Sequence, residues 1–389
     1  RYRHVTGVQT CALPIWGQNC AGIPMTPAGA AVEAVAARWL LELLDLPPES
    51  SVGLVSGATI ANFVGLAAAR GELLRRQGWN VEDDGLYGAP PLRVLIGADA
   101  HNTVFSGLRY LGLGEKRVTT IATDDMGRML PSALEAALKA NSAPAIVIGQ
   151  AGQINTGVSD PFAVIAPMIH AAGGWLHVDG AFGLWARASE RHRHLLDGIE
   201  QADSMATDGH KWLQTPYDCG FTIVRHEKAH RRAMDMQASY LTRDNAHFRH
   251  PGAYVPELSR RSRGFAAWAM MRRLGCEGIA RMVDEDVRMA QIMARGMAAI
   301  PGVAVLNEPE LNQIIVRFGE AGGAEEGDRL TQLTVERIQQ DAVAYMGTSL
   351  WRGRLVMRVS VCSIATTEAD AAITVEAVRS AWEAVQAAA

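Results

Sequence analysis

Between residues 50 and 225 the chain alternates short apolar runs with stretches of helical periodicity, and this alternation restricts the fold more than any other feature. The runs at 52–55, 93–96, 117–122, 145–149 and 175–178 read as strands. The segments 58–76, 101–111, 131–140 and 161–172 read as helices, and Pro131 suits a first helical turn. Such alternation predicts a mostly parallel sheet covered by helices on both faces. Beyond about residue 265 the order changes. Long helices are expected at 265–274 and 278–299, shorter strands near 303–306, 313–318 and 355–361, and a last helix from 367 to the end. This half reads as a smaller α+β domain, and 389 residues suffice for both parts. No internal repeat or low-complexity linker divides them.

Composition removes several functional classes. The formal net charge is -4 and no long segment is strongly cationic, so the chain lacks a nucleic-acid footprint. The uncharged stretches 50–69 and 140–159 are interrupted by Gly, Ser, Asn or Gln, which argues against spanning helices and predicts no membrane partner. The five cysteines (Cys11, Cys20, Cys219, Cys276, Cys362) are odd in number, scattered and never in C-x-x-C spacing. They point to a reducing, cytoplasmic setting without structural zinc. His192 and His194 lie in a charged run that reads as solvated surface, and H-E-x-x-H is absent, so no metal site is expected. The opening RYRHVTGVQTCALPIW is basic and weakly apolar, but Gly7, Gln9, Thr10 and Pro14 interrupt it as a signal peptide. Its VTGVQTCALPI string resembles translated adapter sequence, so residues 1–15 are expected to be non-native and the native N-terminus to be missing.

Open parallel sheets bind ligands beyond the carboxyl ends of their strands, which singles out four places. Ser56-Gly57-Ala58-Thr59 joins a strand to a helix. It suits an anion at free N–H groups, and equally a tight capped turn. Neither G-K-[ST] nor G-x-G-x-x-G is present, which disfavours a nucleotide-binding loop or a Rossmann dehydrogenase. Asp179 ends the run WLHVD and is followed by Gly180 and Ala181. A buried acid there needs a cationic partner, and the small residues admit something flat, although an N-cap or ion pair would also account for it. Lysine occurs only at 116, 139, 211 and 228. Lys211 follows a short strand beside Trp212 and Leu213 rather than in a polar context. It is the amine best placed for a pKa lowered by partial burial, the alternative being a snorkelling surface side chain. His101 starts a helix after a strand, where a capping role is equally open. An anion cradle, a buried acid, a flat partner and a desolvated amine together suit pyridoxal 5'-phosphate.

At these positions the chain resembles the group II pyridoxal-phosphate-dependent decarboxylases, the family of aromatic-L-amino-acid and glutamate decarboxylases. The matching text is SGATIANFVGLAAAR, GADAHNTVFSGLRYLG, LHVDGAFG, ADSMATDGHKWLQTPYDCG, ELSRRSRG and RVSVCSIATT, from about Trp16 to the C-terminus. The resemblance implies the aspartate-aminotransferase-like fold, fold type I, in a homodimer. Residues 16–50 would be the remnant of an N-terminal arm, 51–265 the large cofactor-binding domain and 266–389 the small domain. By motif position Lys211 would bond the cofactor aldehyde and Asp179 would pair with the pyridine nitrogen. Ala181 and His101 would face the two sides of the ring. Ala58 and Thr59, helped by His210, would hold the phosphate, and Gln153 would lie near the phenolic oxygen where relatives often carry Thr or Asn. Tyr240 would protonate the product carbon, which favours amine formation over an aldehyde-forming route. The implied reaction is decarboxylation of an L-amino acid, aromatic first. An acidic substrate remains open through Arg260, Arg261 and Arg263, which would otherwise form salt bridges. Transamination, carbon–carbon lysis and a non-catalytic fragment remain as alternatives. Asp208-Gly209 stands where an Asn-Pro is frequent.

Overall fold

The computed structural model describes residues 19–23, 25–236 and 249–388. A seven-stranded sheet consists of β1 (Ser51–Val55), β2 (Arg93–Gly97), β3 (Thr119–Ile121), β4 (Ala145–Gln150), β5 (Trp175–Asp179), β6 (Ser204–Asp208) and β7 (Gly220–Val224). Its spatial order is β1-β7-β6-β5-β4-β2-β3, and only β7 runs antiparallel to its neighbours. Strands β1, β4, β5, β6 and β7 are buried at every position, as a sheet covered on both faces requires.

Two apolar cores lie on opposite faces of the sheet, and successive residues of each strand contribute to them in turn. Leu54, Leu95, Val147, Leu176, Val178 and Met205 face one core. It is completed by α1 (Pro27–Leu43), α4 (Pro131–Lys139), α5 (Phe162–Ala171) and part of α7 (Gly264–Ala298). Val55, Val94, Ile96, Ile148, Trp175 and Ala206 face the other, under α2 (Ala58–Arg76), α3 (Asn102–Tyr110) and α6 (Glu227–Met234). Gly275 interrupts α7 with φ 64°, so the two helices expected at 265–274 and 278–299 meet at a glycine in the left-handed region.

The second unit is a four-stranded antiparallel sheet of β8 (Val303–Val305), β9 (Gln313–Phe318), β10 (Gly347–Trp351) and β11 (Arg354–Ser360), in the order β10-β11-β9-β8. Helices α8 (Ala324–Asp341), α9 (Glu368–Ala388) and the end of α7 cover it. Helix α7 serves both units. Met271, Ile279, Met282 and Val283 join the large core, whereas Met289, Met293 and Met297 join the small one. No described helix is long and apolar enough to cross a membrane.

The arginine run at 260–263 is engaged structurally. Glu33 on α1 is fully buried, and Arg260 Nη2 donates to its two oxygens at 2.9 and 2.8 Å. Arg249 Nη1 adds a third contact at 3.2 Å. The Cys20 thiol donates to the same carboxylate at 3.6 Å, and burial pushes its pKa up to about 11. Arg263 and Arg261 pair with Asp218 at 2.9 and 3.9 Å. Removing one partner of a buried pair strands the other charge. Glu33→Gln is therefore expected to destabilise the fold by about 3–5 kcal/mol, read as a lower urea midpoint at unchanged slope.

Candidate active site

A cavity of about 220 Å³ opens at the carboxyl ends of β4, β5 and β6. It brings together Ala58, Thr59, His101, Asp179, Ala181, His210 and Lys211, which lie far apart in sequence. The parallel strand geometry explains the meeting: β5 ends at Asp179 and β6 at Asp208, and the turns that follow deliver Ala181 and Lys211 to one mouth.

Asp179 is buried, and burial is the largest influence on its carboxyl, raising the pKa. The charges of His101 and Lys211, the Asn62 carboxamide and the Ala181 N–H all oppose that rise. Asn62 Nδ2 donates to Asp179 Oδ2 at 3.2 Å, and Ala181 N–H donates to Oδ1 at 3.2 Å. His101 caps α3: Thr103 N–H donates to its Nδ1 at 3.3 Å, which leaves Nε2 to carry the proton of the neutral ring. Desolvation lowers the His101 pKa against the pull of Asp179, favouring that neutral form.

Lys211 Nζ pairs with Asp208 Oδ2 at 3.0 Å. Asp208 Oδ1 also accepts the Ala58 N–H at 2.6 Å and lies 3.3 Å from His210 Nε2. A carboxylate thus caps the start of α2, where its negative charge suits the helix dipole. His210 is fixed from behind, since the Cys219 N–H donates to Nδ1 at 3.1 Å and Tyr217 stacks on the ring at 4.0 Å. Burial lowers the His210 pKa. Next to Lys211, Trp212 is fully buried and its Nε1–H donates to Asp286 Oδ2 of α7 at 2.6 Å, which anchors the lysine segment in the large core. Gly57 keeps the cradle open: a Cβ there would lie 3.0 Å from His210 Cε1 and 3.2 Å from Asp208 Oδ1.

Gln153 is not part of this lining. Its Oε1 accepts the N–H groups of Asn155 and Thr156, and its Nε2 donates to the Asp99 carbonyl at 3.1 Å. The glutamine ties its own loop, and Gln150, at the end of β4, reaches the cavity instead. Tyr240 lies outside the described residues. Gln150 and Asn62 were not anticipated, nor were two charged residues. Asp208 was noted only as a departure from Asn, although a carboxylate three residues before a lysine was a readable signal. Arg358, on β11 of the small unit, adjoins the site closely enough that its charge lowers the His101 pKa. Its Nη1 donates to the Ile154 carbonyl at 3.4 Å, and burial lowers its own pKa. An arginine within the apolar text RLVMRVSV was its signal. No cluster of three or more metal-ligating side chains occurs among the described residues.

The model of the pyridoxal-dependent decarboxylase conserved domain matches residues 17–318. The chain belongs to this family. It is a pyridoxal-5'-phosphate-dependent carboxy-lyase of the amino-acid decarboxylase kind. Tryptophan decarboxylase 1 of Oryza sativa subsp. japonica is 28% identical over 387 residues, covering 93% of this chain and 73% of the relative. Cysteine sulfinic acid decarboxylase of Homo sapiens is 30% identical over 270 residues, covering 67% and 54%. L-2,4-diaminobutyrate decarboxylase of Rhizobium meliloti is 28% identical over 363 residues, covering 92% and 69%. The crystal structure of Oryza sativa TDC with PLP and tryptamine superposes with a TM-score of 0.87 at 25% identity, covering 98% of this chain and 80% of that one. The sequence-based expectation of a fold type I α/β architecture, a large mostly parallel sheet plus a small α+β unit, agrees with these neighbours.

The residues present suit the cofactor. Thr59 and His210 would meet its phosphate, whereas the Ala58 N–H expected there is already taken by Asp208; Asp179 would meet its ring nitrogen, Ala181 and His101 the ring, and Lys211 its aldehyde.

Proposed function

We propose that this chain removes the carboxylate of an L-amino acid, aromatic in preference to acidic, releasing the amine and carbon dioxide, and that it does so as a homodimer. When bound, the cofactor supplies an aldehyde that takes an amine and a ring that draws electrons from the adjoining carbon. Lys211 would provide the amine that holds the aldehyde. Asp179 keeps a negative charge beside the ring nitrogen and so favours the protonated ring when charge develops there. His101 and Ala181, which line the cavity, would hold the ring between them. Asp208 holds the Lys211 Nζ in place through its ion pair. Arg358, whose Nη1 donates to the carbonyl of the cavity-lining Ile154, would offer a cation to the substrate's own carboxylate.

The preference against acidic substrates rests on one observation. Arg260, Arg261 and Arg263, the cations that could have met a second carboxylate, are engaged by Glu33 and Asp218. The names of the relatives span tryptophan, cysteine sulfinate and diaminobutyrate, so an assay decides. The cofactor-loaded protein is offered L-tryptophan, L-tyrosine, L-phenylalanine, L-glutamate, cysteine sulfinate and 2,4-diaminobutyrate, with carbon dioxide and amine both measured. Release from the aromatic set first is the expected result. Release from glutamate or cysteine sulfinate alone would overturn the preference, and keto acid without carbon dioxide would overturn the reaction.

A further inference from the structure

Behind Asp179 a line of buried polar groups runs away from the cavity, and the chemistry of the site described above does not use it. Trp175, His177 and Asp179 alternate along β5 and share the sheet face that α2 covers. Ser204 sits opposite His177 in the β5–β6 register. From α2, Asn62 and Gly65 descend on the same face, one helical turn apart. Trp175, His177, Ser204 and Asn62 are all 0% exposed. The approach depends on Gly65, because a Cβ there would lie 2.7 Å from His177 Cε1.

The partners dictate the direction of every bond. Indole N–H can only donate, so Trp175 Nε1 donates to Ser204 Oγ at 2.8 Å. The Asp179 carboxylate can only accept, so Asn62 presents Nδ2 to it at 3.2 Å and turns Oδ1 toward His177 Nε2, 2.9 Å away. That oxygen requires a proton on Nε2. The bare Nδ1 then accepts from the Ser204 hydroxyl at 2.8 Å, a shorter contact than the 3.5 Å from Ser204 Oγ to the Gly65 carbonyl. His177 stays neutral, since burial lowers its pKa to about 3. Four hydrogen bonds therefore point one way, from Trp175 through Ser204, His177 and Asn62 into Asp179, and bonds aligned in this manner polarise one another.

We infer that Asn62, His177 and Ser204 are positioning residues for the cofactor: as a neutral relay they hold Asp179 ionised and aimed, and so set the protonation of the pyridine nitrogen. The inference rests on Asp179 facing that nitrogen. A group that merely filled space would be replaceable by any side chain of equal bulk. A relay needs a donor at the His177 Nε2 position. His177→Gln keeps such a donor, whereas His177→Leu keeps bulk without one.

The test loads each variant with pyridoxal 5'-phosphate carrying ¹⁵N in the ring, records the ring-nitrogen resonance, and measures cofactor dissociation by equilibrium dialysis. Asp179→Asn is the reference for full loss of the acid. His177→Leu is expected to move the resonance toward the unprotonated position and to raise the dissociation constant about tenfold or more. His177→Gln should stay near the parent in both measurements. Ser204→Ala, which removes one oxygen, should move both in the same direction as Leu by a smaller amount, and it carries the test alone should His177→Leu not fold. If Asp179→Asn moves the resonance while His177→Leu or Ser204→Ala does not, or if Gln and Leu are equally impaired, the relay is wrong and the role of Asp179 stands. If Asp179→Asn leaves the resonance unmoved, the assignment of Asp179 fails and takes the relay with it.

Discussion

Lys211→Ala should yield a folded protein that no longer holds its cofactor covalently and turns over slower by on the order of 1,000-fold or more. The fold survives because, among the described residues, the ammonium pairs with Asp208, which keeps the Ala58 N–H and His210 when the lysine is gone. Trp212 continues to anchor the segment through Asp286. Borohydride reduction followed by peptide mapping provides the check. In the parent the label should sit on Lys211 and on neither Lys116, Lys139 nor Lys228; in the variant no lysine should carry it. A label elsewhere in the parent would remove the basis of the proposed chemistry.

Asp179→Ala is the second large effect, and it should separate cofactor attachment from catalysis. The Lys211–Asp208 pair does not involve Asp179, so the variant should still become labelled under borohydride. Its turnover should fall by roughly 100-fold or more, the expected loss of a charge contact worth a few kcal/mol in the transition state. Turnover within a few-fold of the parent would contradict the role given to this acid. Asp179→Asn restores hydrogen bonding without charge, and comparing it with Ala isolates the contribution of the charge.

The parallel part of the large sheet was legible because most of its strands are buried on both faces and so read as unbroken apolar runs, the helices between them having ordinary amphipathic periods. The helix at 58–76 matches α2, and the glycine break in α7 falls where the two expected helices part. Smaller elements escaped for physical reasons. β10 alternates half-buried and exposed positions at the edge of its sheet, so it lacks an apolar run. β7 returns antiparallel between β1 and β6, an order that no local pattern encodes. At the site, Lys211 and Asp179 could be singled out from residue type and context alone. Gln153 could not be placed from its position in a motif, because a loop that closes on its own glutamine looks the same in text as one that offers it to a ligand.

Sequence alone determined which amine and which acid the chain has available, and that both stand at the ends of strands. Lysines are few, and an acid closing an apolar run has little alternative but a specific partner. Tertiary structure decided the contacts among those groups: that a carboxylate at 208 grips both the lysine and the start of α2, that Arg358 of the other sheet donates to the cavity-lining Ile154, and that four donors line up behind Asp179. Hydrogen bonds and ion pairs depend on separations of about 3 Å between residues as far as 150 positions apart, and strand order and helix packing set those separations.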